Sequence, residues 1–106
     1  MKFDIDETLA EMLNAIKATV KDNWKSVKNN ANVYLQGRRN RLELLVSLRL
    51  AKEIKEEFFI KRLKDEQKIL ESELHSIAIM SKAIAQKAAN AALDVLEKAV
   101  NTALKL

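Results

Sequence analysis

The chain contains no cysteine and no proline, and Gly37 is its only glycine. Without cysteine it can form neither a disulfide nor a metal site built on thiolates. Proline and glycine are the residues that most often mark turns and strand ends, so their near-absence predicts a few long helices rather than many short elements. Good helix formers, chiefly Ala, Leu, Glu and Lys, fill most of the remaining positions.

Long hydrophobic runs are missing as well. The first residues, MKFDIDETLAEM, carry acidic side chains before any apolar run, which is not the pattern of a signal peptide. The most apolar stretch, residues 74–96, is interrupted by Lys82, Lys87 and Asp94, whereas a membrane-spanning helix needs about 20 mostly apolar residues. The sequence therefore predicts a soluble, cytoplasmic protein whose 106 residues form a single domain, 1–106.

The charge balance is basic but modest. Lysine and arginine number 19 against 15 acidic residues, which gives a net charge of +4. An excess of this size is compatible with an anionic partner such as nucleic acid or a membrane surface, but it does not require one.

Apolar residues recur every three or four positions through the first half of the chain, which is the spacing of one helix face. Asp6 is a suitable N-cap for this helix. The stripe keeps its phase across Gly37, so we expect one continuous helix over about residues 6–52. Its members are Leu9, Leu13, Ile16, Val20, Trp24, Val27, Ala31, Tyr34, Leu35, Leu42 and Leu45.

The phase is lost after Leu45, because the next stripe positions are Arg49, Lys52 and Glu56. A new apolar pattern begins at Phe59 and continues to Ala103, which predicts a second helix over about residues 56–104. A turn at residues 53–55 would join the two. The predicted fold class is all-α, a long antiparallel two-helix hairpin with arms of roughly 70 Å each at 1.5 Å per residue.

This hairpin also predicts specific partners across its seam. Bulky residues of the first helix, such as Ile16 and Val20, lie opposite small ones of the second, such as Ala88 and Ala92, which is how a close-packed seam fills its volume. A basic cluster (Arg38, Arg39, Arg41) lies opposite an acidic stretch (Glu66, Glu71, Glu73).

Two helices share only one seam, yet both carry apolar residues outside it. In a lone hairpin these would form an exposed apolar strip, which is typical of an interaction surface. The sequence therefore predicts self-association into a homodimer that forms a four-helix bundle, or into a higher oligomer, and a second kind of protein partner fits as well. The predicted interaction surface consists of Val33, Leu44, Leu48, Ile79, Leu93, Val100 and Leu104.

Acidic residues around the only histidine, His75, are candidates for a metal site. Glu71 lies one helical turn before it, and Glu43 and Glu57 are possible further ligands. Di-metal bundles use Glu-x-x-His, however, whereas the spacing here is Glu-x-x-x-His. We therefore predict no metal and no other cofactor, and keep a ferritin-like metal-binding bundle as an alternative.

The cluster Arg38, Arg39 and Arg41 is the candidate anion-binding site, because such a cluster can contact phosphates of nucleic acid or anionic lipid. No interleaved aromatic residues accompany it, as single-strand binding requires. Pairing with the acidic stretch of the second helix is the favoured interpretation. A nucleic-acid- or membrane-binding amphipathic module stays a second alternative.

No set of residues suited to catalysis is present, since the chain has one histidine, no cysteine and no glycine-rich loop. The sequence therefore predicts a non-enzymatic protein with a structural or protein–protein interaction role. It would be a homo-oligomeric small subunit or accessory component of a larger assembly.

Overall fold

The computed structural model describes residues 3–77 and 80–105. They form four α-helices: α1 (Ile5–Val20), α2 (Trp24–Leu50), α3 (Glu56–Ile77) and α4 (Lys82–Lys105). One turn of 3-10 helix, Lys21–Asn23, joins α1 to α2, so residues 5–50 are helical without a gap. The described residues contain no strand. The predicted all-α class is confirmed.

The link between α2 and α3 lies where the apolar pattern loses its phase. Lys52 adopts a left-handed conformation, with φ of 60°. The N–H of Lys52 donates to the Arg49 carbonyl at 3.0 Å, and that of Glu53 donates to the Leu48 carbonyl at 2.9 Å. These two bonds are the Schellman arrangement, which satisfies the last carbonyls of a helix and ends it.

The first half of the chain does not form one straight arm. Lys21 has φ of 52° and ψ of −111°, which reverses the chain after α1. As a result, the Asp6 carboxylate at the start of α1 lies 2.7 Å from the Arg39 guanidinium, far along α2. The helix also starts earlier than predicted, because Asp4 rather than Asp6 is the N-cap and accepts from the N–H groups of Asp6 and Glu7.

The second half is divided as well, since α3 ends at Ile77 and α4 begins at Lys82. The prediction of two uninterrupted helices over residues 6–52 and 56–104 is therefore wrong. The molecule measures 40 × 23 × 21 Å, much shorter than a 70 Å hairpin. The physical reason is burial, because a helix in a lone hairpin covers one stripe, whereas a helix with two or three neighbours covers more of its surface.

The four helices form a bundle within one chain. α4 packs against α1 and α3, and α2 packs against the same two helices. α1 and α4 pack along each other and line one shared depression. α3 and α4 pack together across a link of only four residues, which requires them to be antiparallel.

The core contains most of the residues in the predicted stripes, including Leu9, Ile16, Val27, Phe59 and Leu96. α4 contributes mainly small side chains, which let its neighbours approach closely. Its buried alanines are Ala85, Ala88, Ala89, Ala92 and Ala103. Gly37 lies inside α2 and does not interrupt it.

The bundle changes the status of the predicted interaction surface. Leu93 and Val100 are buried within the chain, and Leu104 is half-buried against its core. For these residues the prediction of an exposed strip is wrong, because α4 has neighbours on two sides. Val33 and Leu44 are exposed, with 61% of each accessible, whereas Leu48 is half-buried. Ile79 lies outside the described residues.

Candidate interaction surface on α2 and α3

A groove lies between α2 and α3 because α1 is too short to extend along all of α2. At 1.5 Å per residue the 16 residues of α1 span about 24 Å and the 27 residues of α2 about 40 Å. The start of α1 lies level with Arg39, so residues 41–50 of α2 extend beyond it. The groove there has a volume of about 480 Å³. It is lined by Arg41, Leu42, Leu44, Leu45, Leu48, Arg62, Asp65, Glu66 and Ile69.

Large apolar side chains are exposed around this groove. Leu44 on α2 and Ile69 on α3 line it, and Ile69 is 41% accessible. Phe58, near the start of α3, is also exposed and lies under the Arg62 guanidinium, 5.2 Å from the ring centre. The other large apolar side chains that are exposed in the described residues are Val33, earlier on α2, and Ile84 on α4. A local concentration of this kind is typical of an interaction surface.

A buried carboxylate forms one wall of the groove. Only 9% of the Glu66 side chain is accessible. Arg38 donates from Nε to Glu66 Oε1 at 3.0 Å and from Nη2 to Oε2, and Arg41 Nε lies 3.5 Å from Oε2. A buried carboxylate is tolerated only when it is paired and hydrogen-bonded. The hydrogen bond to Glu66 raises the pKa of Arg38 above its usual value.

Arg39 joins α1 to α2. Its guanidinium donates to both carboxylate oxygens of Asp6, at 2.7 and 3.2 Å, and to Glu43 at 3.2 Å. The hydrogen bond from Arg39 lowers the pKa of Asp6 below its usual value. Each of the three candidate anion-binding arginines thus already contacts a carboxylate of its own chain, and Arg41 is the most exposed of them.

Tyr34 lies on α2 one turn before Arg38. Its hydroxyl is buried and makes no hydrogen bond to any residue that the structure describes. Burial is the main reason that the pKa of Tyr34 is raised above its usual 10.

The candidate metal ligands are not gathered into one site. Glu43 pairs with Arg39, Glu57 lies in the first turn of α3, and Glu71 and His75 lie further along that helix. His75 Nδ1 is 3.2 Å from the Met80 carbonyl oxygen. Over residues 3–77 and 80–105, no three histidine, aspartate or glutamate side chains come close enough to hold a metal ion.

One surface of α2 is not among the predicted sites. Between Ser26 and Ser47 a strip of its exposed surface carries no charged residue, although Lys28 and Arg41 are exposed beside it and 32% of the chain is charged. This uncharged face consists of Ser26, Asn29, Asn30, Val33, Gln36, Gly37, Asn40, Leu44 and Ser47, all exposed. The signal for this face in the sequence is the recurrence of small and amide residues at helical spacing, which the spacing of apolar residues does not include.

None of the helices in the described part of the chain is both long and apolar enough to cross a membrane. Comparison with models of protein families, with curated proteins and with solved structures finds no match for this chain.

Proposed function

We propose that this chain is a protein–protein interaction module that associates with a second copy of itself through α2 and α3. In this role it serves as a small structural subunit of a larger assembly and has no enzymatic activity of its own. The observation that carries the proposal is that exposed Leu44 and Ile69 line the groove, while exposed Phe58 lies beside it under Arg62. Removing such side chains from water contributes up to roughly 1.5–3 kcal/mol each.

The charges around the groove support this proposal. Arg41 and Arg62 lie beside Asp65 and Glu66, so the rim carries both signs. Arg62 and Asp65 pair at 3.4 Å, and both side chains are about half exposed. An apolar centre with a polar rim is the usual anatomy of a protein interface. A rim of mixed sign also lets two identical surfaces meet without net repulsion.

The mass of the protein in solution tests the proposal directly. One copy has a mass of 12.1 kDa. We expect light scattering to give a larger mass that falls towards this value on dilution. A mass of 12.1 kDa at every concentration up to about 1 mM would contradict self-association. Any association that escaped detection there would have a free energy weaker than about 4 kcal/mol.

A pair of variants tests the surface. Leu44→Lys places a charge at the groove, and we expect it to lower the mass towards that of one copy. Ile84→Lys is the matched control, because Ile84 is an exposed large apolar residue on α4, away from the groove. If both variants lower the mass equally, or if neither does, α2 and α3 are not the surface.

A further inference from the structure

We infer that the two copies meet through an antiparallel pair of α2 helices, packed face to face on the uncharged faces around Gly37. This inference rests on the proposed self-association and adds to it the helix face, the relative direction and the register. Three observations carry it: a glycine with no role in the fold of its own chain, the missing charge, and the positions of the two exposed aliphatic residues.

Gly37 lies at the middle of α2, which runs from Trp24 to Leu50. A glycine inside a helix is less stable than alanine there, because it loses more backbone freedom on folding. A Cβ added at Gly37 would meet nothing within 4 Å. Packing within the chain therefore does not explain why this residue is a glycine. Close approach of a second helix backbone would explain it, because a residue without a Cβ allows such an approach.

The missing charge makes a second copy the suitable partner. α2 as a whole is basic, yet Arg38 and Arg39 are paired with Glu66 and Asp6 of their own chain. The uncharged face presents amides, hydroxyls and two aliphatic side chains, and the exposed Arg41 lies at its edge. Asparagine and glutamine each donate and accept hydrogen bonds, so a face rich in them is complementary to itself. The uncharged face has no charged side chain with which a charged partner could form an ion pair.

The register follows from Val33 and Leu44, which are equally exposed and lie three turns apart on this face. An antiparallel pair can place Val33 of each copy against Leu44 of the other, on both sides of a two-fold axis. The same register sets Gly37 opposite Asn40 and Asn30 opposite Ser47. It also opposes the two helix dipoles. A parallel pair would align the dipoles and place the two glycines opposite each other.

Cysteine cross-linking tests the direction and the register, and the absence of native cysteine makes it specific. The variants Asn30→Cys and Ser47→Cys both change exposed positions. We expect an equimolar mixture to form a disulfide between the two variants. Each variant alone should not cross-link, because its two cysteines would be about 25 Å apart along the pair. Asn90→Cys on α4 is the control, and it should cross-link with neither.

Each other outcome of this experiment has a defined meaning. Cross-linking of Asn30→Cys with itself would show a parallel pair and overturn the inference. A dimer by light scattering that gives no cross-link in the mixture would overturn the inference and leave the proposed self-association intact. A mass of 12.1 kDa at all concentrations would overturn both.

Gly37→Leu tests the close approach. Leucine is a better helix former than glycine, and a Cβ at this position meets nothing within 4 Å in the single chain, so the variant should fold. We expect the dissociation constant of the dimer to increase at least tenfold. Asn90→Leu, at an exposed position of α4, should leave it unchanged. A Gly37→Leu variant that dimerises as tightly as the unmodified chain would overturn the inference.

Discussion

At the scale of single residues, the Glu66 carboxylate on α3 is a nearly buried charge that contacts two arginines of α2. Its charge is balanced by Arg38 and Arg41. A buried ion pair adds little compared with apolar residues of the same shape, but removing one partner leaves an uncompensated charge. The arginine cluster therefore has a structural role in the chain whatever else it binds.

Arg38→Met should lower the free energy of unfolding by about 2 kcal/mol, because Glu66 keeps only the longer contact with Arg41. Urea unfolding followed by the fluorescence of Trp24, the only tryptophan, measures it. The double variant Arg38→Met, Glu66→Leu should lose less than the two single variants together. Arg39→Met is the control. We expect it to lower the free energy of unfolding by less, because its partner Asp6 is exposed to water. Equal losses for Arg38→Met and Arg39→Met would contradict this role of Glu66.

Tyr34 should titrate above its usual pKa of 10, because its neutral hydroxyl is buried. The raised pKa means that the folded chain holds this proton more tightly than the unfolded chain. Its contribution to stability is therefore complete below about pH 10 and is lost as the pH rises through the pKa of the folded state. Tyr34 is the only tyrosine, so phenolate absorbance reports it alone.

The control for this titration is Tyr34→Phe, whose stability should depend less on pH above 10. A midpoint at or below 10 in the folded protein would show that the hydroxyl is accessible to water.

At the scale of helices and turns, the reversal after α1 occurs at a residue that is poorly suited to it. Lys21 has φ of 52° and ψ of −111°. A side chain with a Cβ is strained at such a positive φ by roughly 1–2 kcal/mol, whereas glycine is not. α1 ends there because the chain must turn for α1 to pack against α2 and α4, and that packing outweighs the strain.

Lys21→Gly should therefore raise the free energy of unfolding by about 1 kcal/mol. Lys17→Gly, at an exposed position inside α1, is the matched control and should lower it by a similar amount. Thermal or urea unfolding measures both. If both glycine variants destabilise the protein, the backbone at position 21 does not have the positive φ.

At the scale of the whole molecule, the bundle is the sequence-predicted hairpin folded in two. One arm is divided at residues 21–23 and the other between Ile77 and Lys82. Folding in two brings the start of α1 beside the second half of α2, and it buries Leu93 and Val100 that a straight hairpin would expose. The folded chain has a radius of gyration of 13.5 Å.

A distance between two labels separates the bundle from the straight hairpin. Ala10 and Gln36 are exposed, and with Asp6 beside Arg39 they lie near each other on α1 and α2. We expect spin labels at these positions to be about 10–20 Å apart, the separation of packed helices plus the labels. In one straight helix they would be about 39 Å apart. Dilution of the labelled protein with an excess of unlabelled chain ensures that the distance is measured within one copy.

The sequence by itself determined the helical class, the link between α2 and α3 and most of the buried stripe. These features depend on local propensity and on the spacing of apolar residues, which act over a few positions. The contact of Arg38 and Arg41 with Glu66 was also expected, because α2 and α3 do reverse direction between residues 51 and 55.

Only the tertiary structure decided that the chain folds in two. The apolar stripe keeps its phase from Val20 to Trp24, so the spacing of apolar residues does not indicate the reversal at Lys21. A lysine does not indicate a positive φ in the way that a glycine would. The reversal is favoured because it gives each helix additional neighbours, and burial depends on contacts between distant residues. The groove has the same origin, since it lies where α2 extends past the start of α1.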